Sequence, residues 1–458
     1  MRKEKDGLGE KQVELNALYG IHSLRAKENF PISERKADCL FIDNIARVKK
    51  ACAMVNGKNG DLKKETADAI IHACDEILEG SHYDSFIVDP MQGGAGTSYN
   101  MNANEVIANL AIISLGGKPG QYSLVHPLDH VNLHQSTNDV IPTAGKITVI
   151  RKTEALLSSL ERLKEALDKK AEELTSVITL GRTQLQDAVP MQMSQAFQAY
   201  STMTERSIEE IKKSLEPMHK VNMGGTAIGT GINSTPQFFR DITPALSSVT
   251  GMKIEHCENL FDGTQNADGF ASVSSAVKVC AIKLSKMASD LRLLSSGPDS
   301  GFCEIKLPPR QSGSSIMPGK VNPVIPEALN QAAFLVMGHD LTISMAVESG
   351  QLELNAFMPV ILCEIFEEID VLSNAVDVFI DKCLRDIKVD KKKCADNALK
   401  SKSLATALNP LLGYDESSAI VKKALSTGKT VFEIAVEDYG INEEKLKELL
   451  NPVNMTNA

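Results

Sequence analysis

The chain has no apolar run approaching the roughly 18 residues that a membrane-spanning helix needs. Its opening stretch, MRKEKDGLGEKQVELNALYG, holds no apolar core of signal-peptide length. It also lacks any Cys-x-x-Cys pair. Nine cysteines are scattered from Cys39 to Cys394, which suits reduced, mostly buried thiols of a cytosolic protein better than a disulfide framework. Positive charge is short too: lysine plus arginine number 49 against 59 aspartate plus glutamate, a formal net charge of -10. No basic stripe offsets it, and such a balance disfavours nucleic acid as a partner. Neither βαβ alternation nor an internal repeat nor a low-complexity tract is found, which argues against a dinucleotide-binding fold. The expectation is a cytoplasmic protein with no nucleic-acid or membrane partner.

What is present is helical periodicity. Val273, Val277, Cys280, Leu284, Met287, Leu291 and Leu294 step by four and three along one seam, a spacing that a strand cannot carry. The segment from Pro142 repeats it with Leu156, Leu160, Leu163, Leu167 and Leu174, and that from Pro359 with Ile361, Ile365, Ile369, Leu372, Val376 and Phe379. Two further helices are expected at about 190–219 and 326–347, apolar over most of their circumference. Helices of some 30 residues are about 45 Å long and associate most naturally side by side. The reading is therefore mainly α: a central bundle over about 138–392, an N-terminal domain over 1–137 and a small helical C-terminal domain over 393–458. A bundle that exposes so much seam is expected to be shared in a homo-oligomer.

Between the helices lie unusually polar stretches: QGGAGTSYNMNANEV from Gln92, HVNLHQSTNDVIPTA from His130 and GRTQLQDAVP from Gly181. Asn138 or Asp139 could cap a helix with Pro142 in its first turn, and Asp187 one entered at Pro190. Capping explains single residues but not the clusters, because hydroxyls and amides gathered at helix N-termini make a site for a small anion. A fourth stretch, RQSGSSIMPGKVNPVIPE from Arg310, invites comparison with a phosphate loop. The spacing is wrong, and Val321 stands where a magnesium-binding hydroxyl is required. What remains is a mobile glycine-rich loop, about 310–323, with Ser314, Ser315, Lys320 and Asn322. His126, His130 and His134 recur every four residues, but Pro127 interrupts any helix there, so no metal site is assigned.

These stretches, with ALYGIHSLRAKENFPIS and NMGGTAIGTGIN, resemble corresponding segments of aspartate ammonia-lyases in the same order, and GSSIMPGKVNP resembles the signature of the fumarase/aspartase superfamily. The similarity runs from about Leu8 to Met455. It implies a three-domain, mainly helical protomer and a homotetramer with composite active sites drawn from three subunits. The implied reaction is the reversible anti-elimination of ammonia from L-aspartate to give fumarate, with no organic cofactor required; divalent-cation activation is left open. Removing a proton beside a carboxylate creates a dianionic, enediolate-like species that needs converging donors. By the resemblance, Thr97, Ser136, Thr137 and Ser315 grip that carboxylate, Ser314 is the base and Lys320 helps activate it. Lys320, Asn322 and Thr183 would bind the second carboxylate, with Asn138 and Gln184 near the amino group.

Some positions depart from the family pattern. Many members carry histidine, linked to a glutamate matching Glu327, where this chain has Gln184. A carboxamide cannot relay protons, and leaving hydroxide needs an acid whereas ammonia does not. Gln184 and Thr137 therefore favour an ammonia-lyase over a fumarate hydratase. Asp299, Leu128 and His134 also depart, and they keep an inactive helical scaffold as a further alternative.

Overall fold

A computed structural model describes residues 1–456. The chain forms sixteen α-helices and four two-stranded ribbons among these residues. The helices are α1 (Ile21–Asn29), α2 (Cys39–Asn59), α3 (Lys64–Leu78), α4 (Thr97–Ser114), α5 (Thr137–Glu173), α6 (Met193–Ser214), α7 (Pro236–Thr250), α8 (Leu260–Gln265), α9 (Asp268–Leu294), α10 (Val324–Glu348), α11 (Met358–Lys382), α12 (Lys391–Lys400), α13 (Asn409–Leu412), α14 (Tyr414–Thr427), α15 (Val431–Tyr439) and α16 (Glu443–Leu449). The ribbons pair β1 (Arg2–Asp6) with β2 (Gly9–Val13), β3 (Ile178–Thr183) with β4 (Gln186–Gln192), β5 (Lys220–Val221) with β6 (Glu255–His256), and β7 (Ile305–Lys306) with β8 (Lys388–Val389). No described helix is long and apolar enough to cross a membrane. All nine cysteines are free.

The chain divides into two compact units: residues 1–157, 209–279 and 334–372, and residues 158–208, 280–333 and 373–458. Each of the five long helices, α5, α6, α9, α10 and α11, contributes to both. The heptad-like seams hold as read: Val273, Val277, Leu284, Met287 and Leu291 of α9 are buried, as are Ile361, Ile365, Ile369, Leu372 and Val376 of α11. Helix α5, 37 residues long, spans about 55 Å at 1.5 Å per residue.

Three expectations are corrected. Helix α6 begins at Met193 rather than Pro190, and it buries a single stripe through Met193, Phe197, Tyr200, Thr204, Ile208 and Ile211 rather than most of its circumference. Asp187 and Pro190 lie in β4 and cap nothing. Asn138 and Asp139 fall inside the first turn of α5, and the capping residue is Ser136. Its hydroxyl accepts the N–H of Asn138 (3.2 Å), and its own N–H reaches back to the Asp139 carboxylate (2.9 Å), a reciprocal arrangement that satisfies two of the donors left open at a helix start. Helix α10 is apolar on both sides, as read, yet Phe334, Leu335, Leu341 and Met345 are 61%, 55%, 62% and 62% exposed on the protomer.

Arg25, to which sequence assigned no role, ties down the N-terminal ribbon. Its guanidinium donates to both oxygens of Asp6 (2.7 and 3.1 Å) and to the Gly9 carbonyl (3.3 Å).

Candidate active site

In the first unit, two of the polar stretches meet the NMGGTAIGTGIN loop. Thr97 and Thr137 are the first residues of α4 and α5, so each stands where free N–H groups and a partial positive charge collect. Gly96, just before α4, brings the two termini together. It has φ +92°, and a Cβ there would lie 2.8 Å from Cγ2 of Ile141 in α5. The side-chain amide of Asn100 in α4 donates to the Thr137 hydroxyl (3.2 Å). Asn138 donates from its amide to the Ala227 carbonyl (2.7 Å), and Asn222 returns a bond to the Asn138 carbonyl (2.9 Å). The buried Asp139 carboxylate receives the N–H groups of Gly224 (3.3 Å) and Thr226 (3.1 Å), which fastens the NMGGTAIGTGIN loop to the start of α5. His134 adds a further tie: its Nδ1 donates to the Asn233 carbonyl (2.8 Å) while Nε2 lies 3.4 Å from Asp61.

Burial decides the charge at this site. Desolvation raises Asp139 to about 6, against three N–H donors that favour the anion. Lys49 in α2, fully buried, is lowered to about 8, again chiefly by burial. Thr97 is exposed, with its hydroxyl donating to the Gly94 carbonyl (2.7 Å), and Ser136, Thr137 and Asn138 are half-buried. The ALYGIHSLRAKENFPIS stretch also packs on α4: the Glu105 carboxylate receives the N–H groups of Gly20, His22 and Ser23 at 2.8, 2.8 and 3.1 Å, capping α1 from outside.

In the second unit, Thr183 and Gln184 sit at the tip of the β3–β4 ribbon, where Thr183 pairs with Gln186. Gln184 and Leu185 form the two-residue turn with φ of 53° and 63°, the left-handed pair a tight hairpin turn demands. Both Gln184 and Thr183 are exposed. Arg182 before them is locked to the buried Glu304 through two bonds (2.5 and 3.1 Å) and lies 4.4 Å from the Phe302 ring centroid. It is therefore a rigid support for the tip rather than a free cation.

The loop between β7 and α10 is closed at its neck. Gly313 donates its N–H to the Lys320 carbonyl and accepts the Asn322 side-chain amide, each at 2.8 Å. Within it, the Ser314 hydroxyl oxygen accepts two backbone N–H groups, from Ile316 (3.2 Å) and Met317 (3.0 Å). Ser315 and Lys320 are exposed, as are Ile316, Met317 and Val321, the first 84% so. Glu327, which follows in α10, faces Arg292 at 3.8 Å.

His126 and His130 are not arranged as ligands: the Nδ1 of His126 accepts from Leu128 and Asp129 N–H groups, and that of His130 from the His126 N–H. Sequence reasoning missed Asn100, Asn104, Asn132, Gln135 and Lys49, which form a connected polar group under the threonines. A signal was available. Asparagine is a poor helix former, yet Asn100, Asn102, Asn104 and Asn109 share one helix and are all buried.

Comparison with known proteins is consistent throughout. A family model described as Lyase matches residues 9–338, and one described as Fumarase C C-terminus matches residues 404–457. Aspartate ammonia-lyase of Bacillus subtilis is 47% identical, covering 99% of this chain and 96% of its own; that of Escherichia coli is 42% identical, with 99% and 96% covered. Among solved structures, a Brucella melitensis fumarate lyase:delta crystallin bound to cobalt superimposes with a TM-score of 0.97 at 43% identity, over 100% of both chains. A class II fumarase from Schistosoma mansoni gives 0.96 at 34% identity, over 99% of this chain and 98% of its own. The fold is accordingly the mainly α architecture of these lyases with its long helix bundle, and the chain belongs to the fumarase/aspartase superfamily, as a carbon–nitrogen lyase.

Proposed function

We propose that the protein catalyses the reversible anti-elimination of ammonia from L-aspartate, giving fumarate. The Ser314 oxyanion, its hydroxyl proton already given up to solvent, takes the proton from the carbon beside one carboxylate, and the electron pair left behind spreads into that carboxylate as an enediolate-like dianion. Collapse of the dianion forms the double bond and breaks the carbon–nitrogen bond, and the nitrogen departs as neutral ammonia. A serine hydroxyl is a poor base unless its oxyanion is stabilised. The observation that carries the reading is the pair of N–H groups, from Ile316 and Met317, already aimed at Ser314 Oγ. They stabilise negative charge on that oxygen in the way an oxyanion hole does, and Lys320 adds a cation on the same loop.

Thr97, Ser136, Thr137 and Ser315 hold the carboxylate that becomes dianionic. Each well-aimed donor there contributes on the order of 3 kcal/mol to the transition state. The second carboxylate goes to Thr183, Lys320 and Asn322, and the amino group to Asn138 and Gln184. Asn322 spends one amide N–H on the Gly313 carbonyl and keeps the other for the carboxylate, which ties ligand binding to the neck of the 310–323 loop. A carboxamide at Gln184 supplies no proton for a leaving hydroxide, which favours ammonia over water as the group expelled. The reaction so written uses no organic cofactor.

The working molecule is a homotetramer with domains over 1–137, 138–392 and 393–458 and sites completed by three subunits. The exposed Phe334, Leu335, Leu341 and Met345 along α10 support it, since a stripe of that size on a long helix calls for a partner surface. Incubation with L-aspartate and, separately, L-malate tests the function: fumarate is expected from L-aspartate alone. Fumarate from L-malate alone makes the protein a hydratase; from neither, a scaffold.

A further inference from the structure

Lys49 is fully buried in α2, and among the described residues no carboxylate forms an ion pair with it. Its ammonium donates instead to two neutral amide oxygens, Asn132 Oδ1 and Gln135 Oε1, each at 2.9 Å. A buried charge with only neutral partners costs several kcal/mol to retain, so what this one does for its surroundings matters. An ammonium can only donate. It therefore forces both amides to present oxygen towards it and nitrogen away: Asn132 Nδ2 to the Gln135 carbonyl (3.2 Å), and Gln135 Nε2 to the Val131 and Leu133 carbonyls (3.0 and 3.1 Å).

The orientation passes on. With its oxygen fixed, Asn132 accepts the amides of Asn100 (3.1 Å) and Asn104 (3.2 Å) from α4. Asn100, thereby held nitrogen-first, gives its remaining N–H to the Thr137 hydroxyl oxygen (3.2 Å). The hydroxyl of Thr137 is left with its own proton and, among the described residues, no protein acceptor for it. Thr137 is half-buried at the start of α5, where an incoming carboxylate meets free N–H groups. The buried oxygens of Asn100 and Asn104 make no hydrogen bond: the polar group has been arranged for the donors it presents, at the expense of its own acceptors.

We propose that Lys49 is a positioning residue which, through Asn132 and Asn100, sets the Thr137 hydroxyl as an obligate donor to the substrate carboxylate. The inference rests on the reading of the protein as an aspartate-deaminating lyase and adds to it a residue that never touches substrate. The chain of contacts covers α2, the 131–136 segment, α4 and the first turn of α5, all in one compact unit. At neutral pH the group remains mostly charged, because the Asp139 carboxylate partly offsets the effect of burial.

A double-mutant cycle tests it. Lys49→Met, Thr137→Val and the pair are made in the full chain, and KM and kcat for L-aspartate are measured together with the Kd for succinate, an unreactive dicarboxylate. Lys49→Met alone is expected to raise KM and the succinate Kd roughly tenfold, the effect of one lost charge-assisted hydrogen bond, and to change either less than about twofold once Thr137 is valine, since the hydroxyl it orients is gone. A merely structural lysine would give the same factor in both backgrounds, and that result overturns the inference. Where Lys49→Met does not fold, Asn100→Ala takes its place in the same cycle with the same expectation, and additivity there is equally fatal. Wild-type protein that makes no fumarate from L-aspartate overturns the functional reading and this inference together, whereas an active wild type with additive variants overturns the role of Lys49 alone.

Discussion

Asp139 accepts the backbone N–H of Thr226 at 3.1 Å across 87 positions of sequence. The contact holds a glycine-rich loop against the first turn of α5 and opposes two effects: burial disfavours the carboxylate, and N–H donors at a helix start favour it. Burial wins, with the group raised to about 6 from its ordinary 3.8. The sign follows from linkage. Between pH 3.8 and 6 the folded state binds the Asp139 proton more tightly than the unfolded chain, so this group's contribution to stability falls as pH rises through that window. The unfolding free energy of wild type minus that of Asp139→Asn should therefore shrink by on the order of 3 kcal/mol between pH 4 and 7. Denaturant titrations at several pH values measure it. A difference that grows with pH would mean the donors outweigh burial.

Gly96 sits where α4 and α5 converge, and alanine there meets two obstacles at once. Its φ of +92° is strained for any side chain, and the new Cβ would lie 2.8 Å from Ile141. Gly96→Ala should lower stability by about 2–3 kcal/mol and reduce turnover as Thr97 and Thr137 move apart. Adding Ile141→Val should recover only part of the stability, because it removes the clash and leaves the backbone strain. Thermal unfolding of the single and double variants separates the two terms; full recovery would show that the backbone tolerates the side chain.

Sequence revealed three of the long helices through a seam stepping by three and four, as Val273 to Leu294 marks α9, and the other two through long apolar stretches. It misplaced the entry to α6 because Asp187 and Pro190 imitate a cap and a first helical residue. The same stretch instead forms one side of a ribbon whose turn, Gln184–Leu185, carries no glycine or asparagine to announce it. The cluster of hydroxyls was visible as motifs, but the support beneath it was not. Lys49 and Asn132 are 83 positions apart, and nothing local to either predicts that they touch.

Leu185 adopts a left-handed conformation with φ 63° while its side chain is 64% exposed, so it bears the strain of the turn with little packing in return. Leu185→Gly should stabilise the protein by about 1 kcal/mol, the cost of that conformation for a branched side chain less the entropy glycine loses on folding. Because Arg182 remains held by Glu304, the position of Thr183 should not change, and kcat should stay within about twofold of wild type. A loss of stability would mean that Leu185 is covered in the assembled protein.

Ser314→Ala separates binding from chemistry. The hydroxyl sits 3.0 Å from the Met317 N–H and 3.2 Å from that of Ile316, and alanine removes the oxygen without altering the Gly313–Lys320 and Gly313–Asn322 bonds that close the loop. If the serine is the base, kcat for L-aspartate should fall by about a thousandfold or more, because its proton-transfer step, worth 10²–10⁴ in rate, is lost. The Kd for succinate should change by less than about threefold, since Thr97, Ser136, Thr137 and Lys320 remain. Two stray N–H groups then face a methyl, so a slightly more mobile loop is also expected, visible as faster amide exchange at Ile316 and Met317. Retained turnover with weakened succinate binding would reverse the assignment, making Ser314 a ligand for the carboxylate and leaving the base to be sought elsewhere.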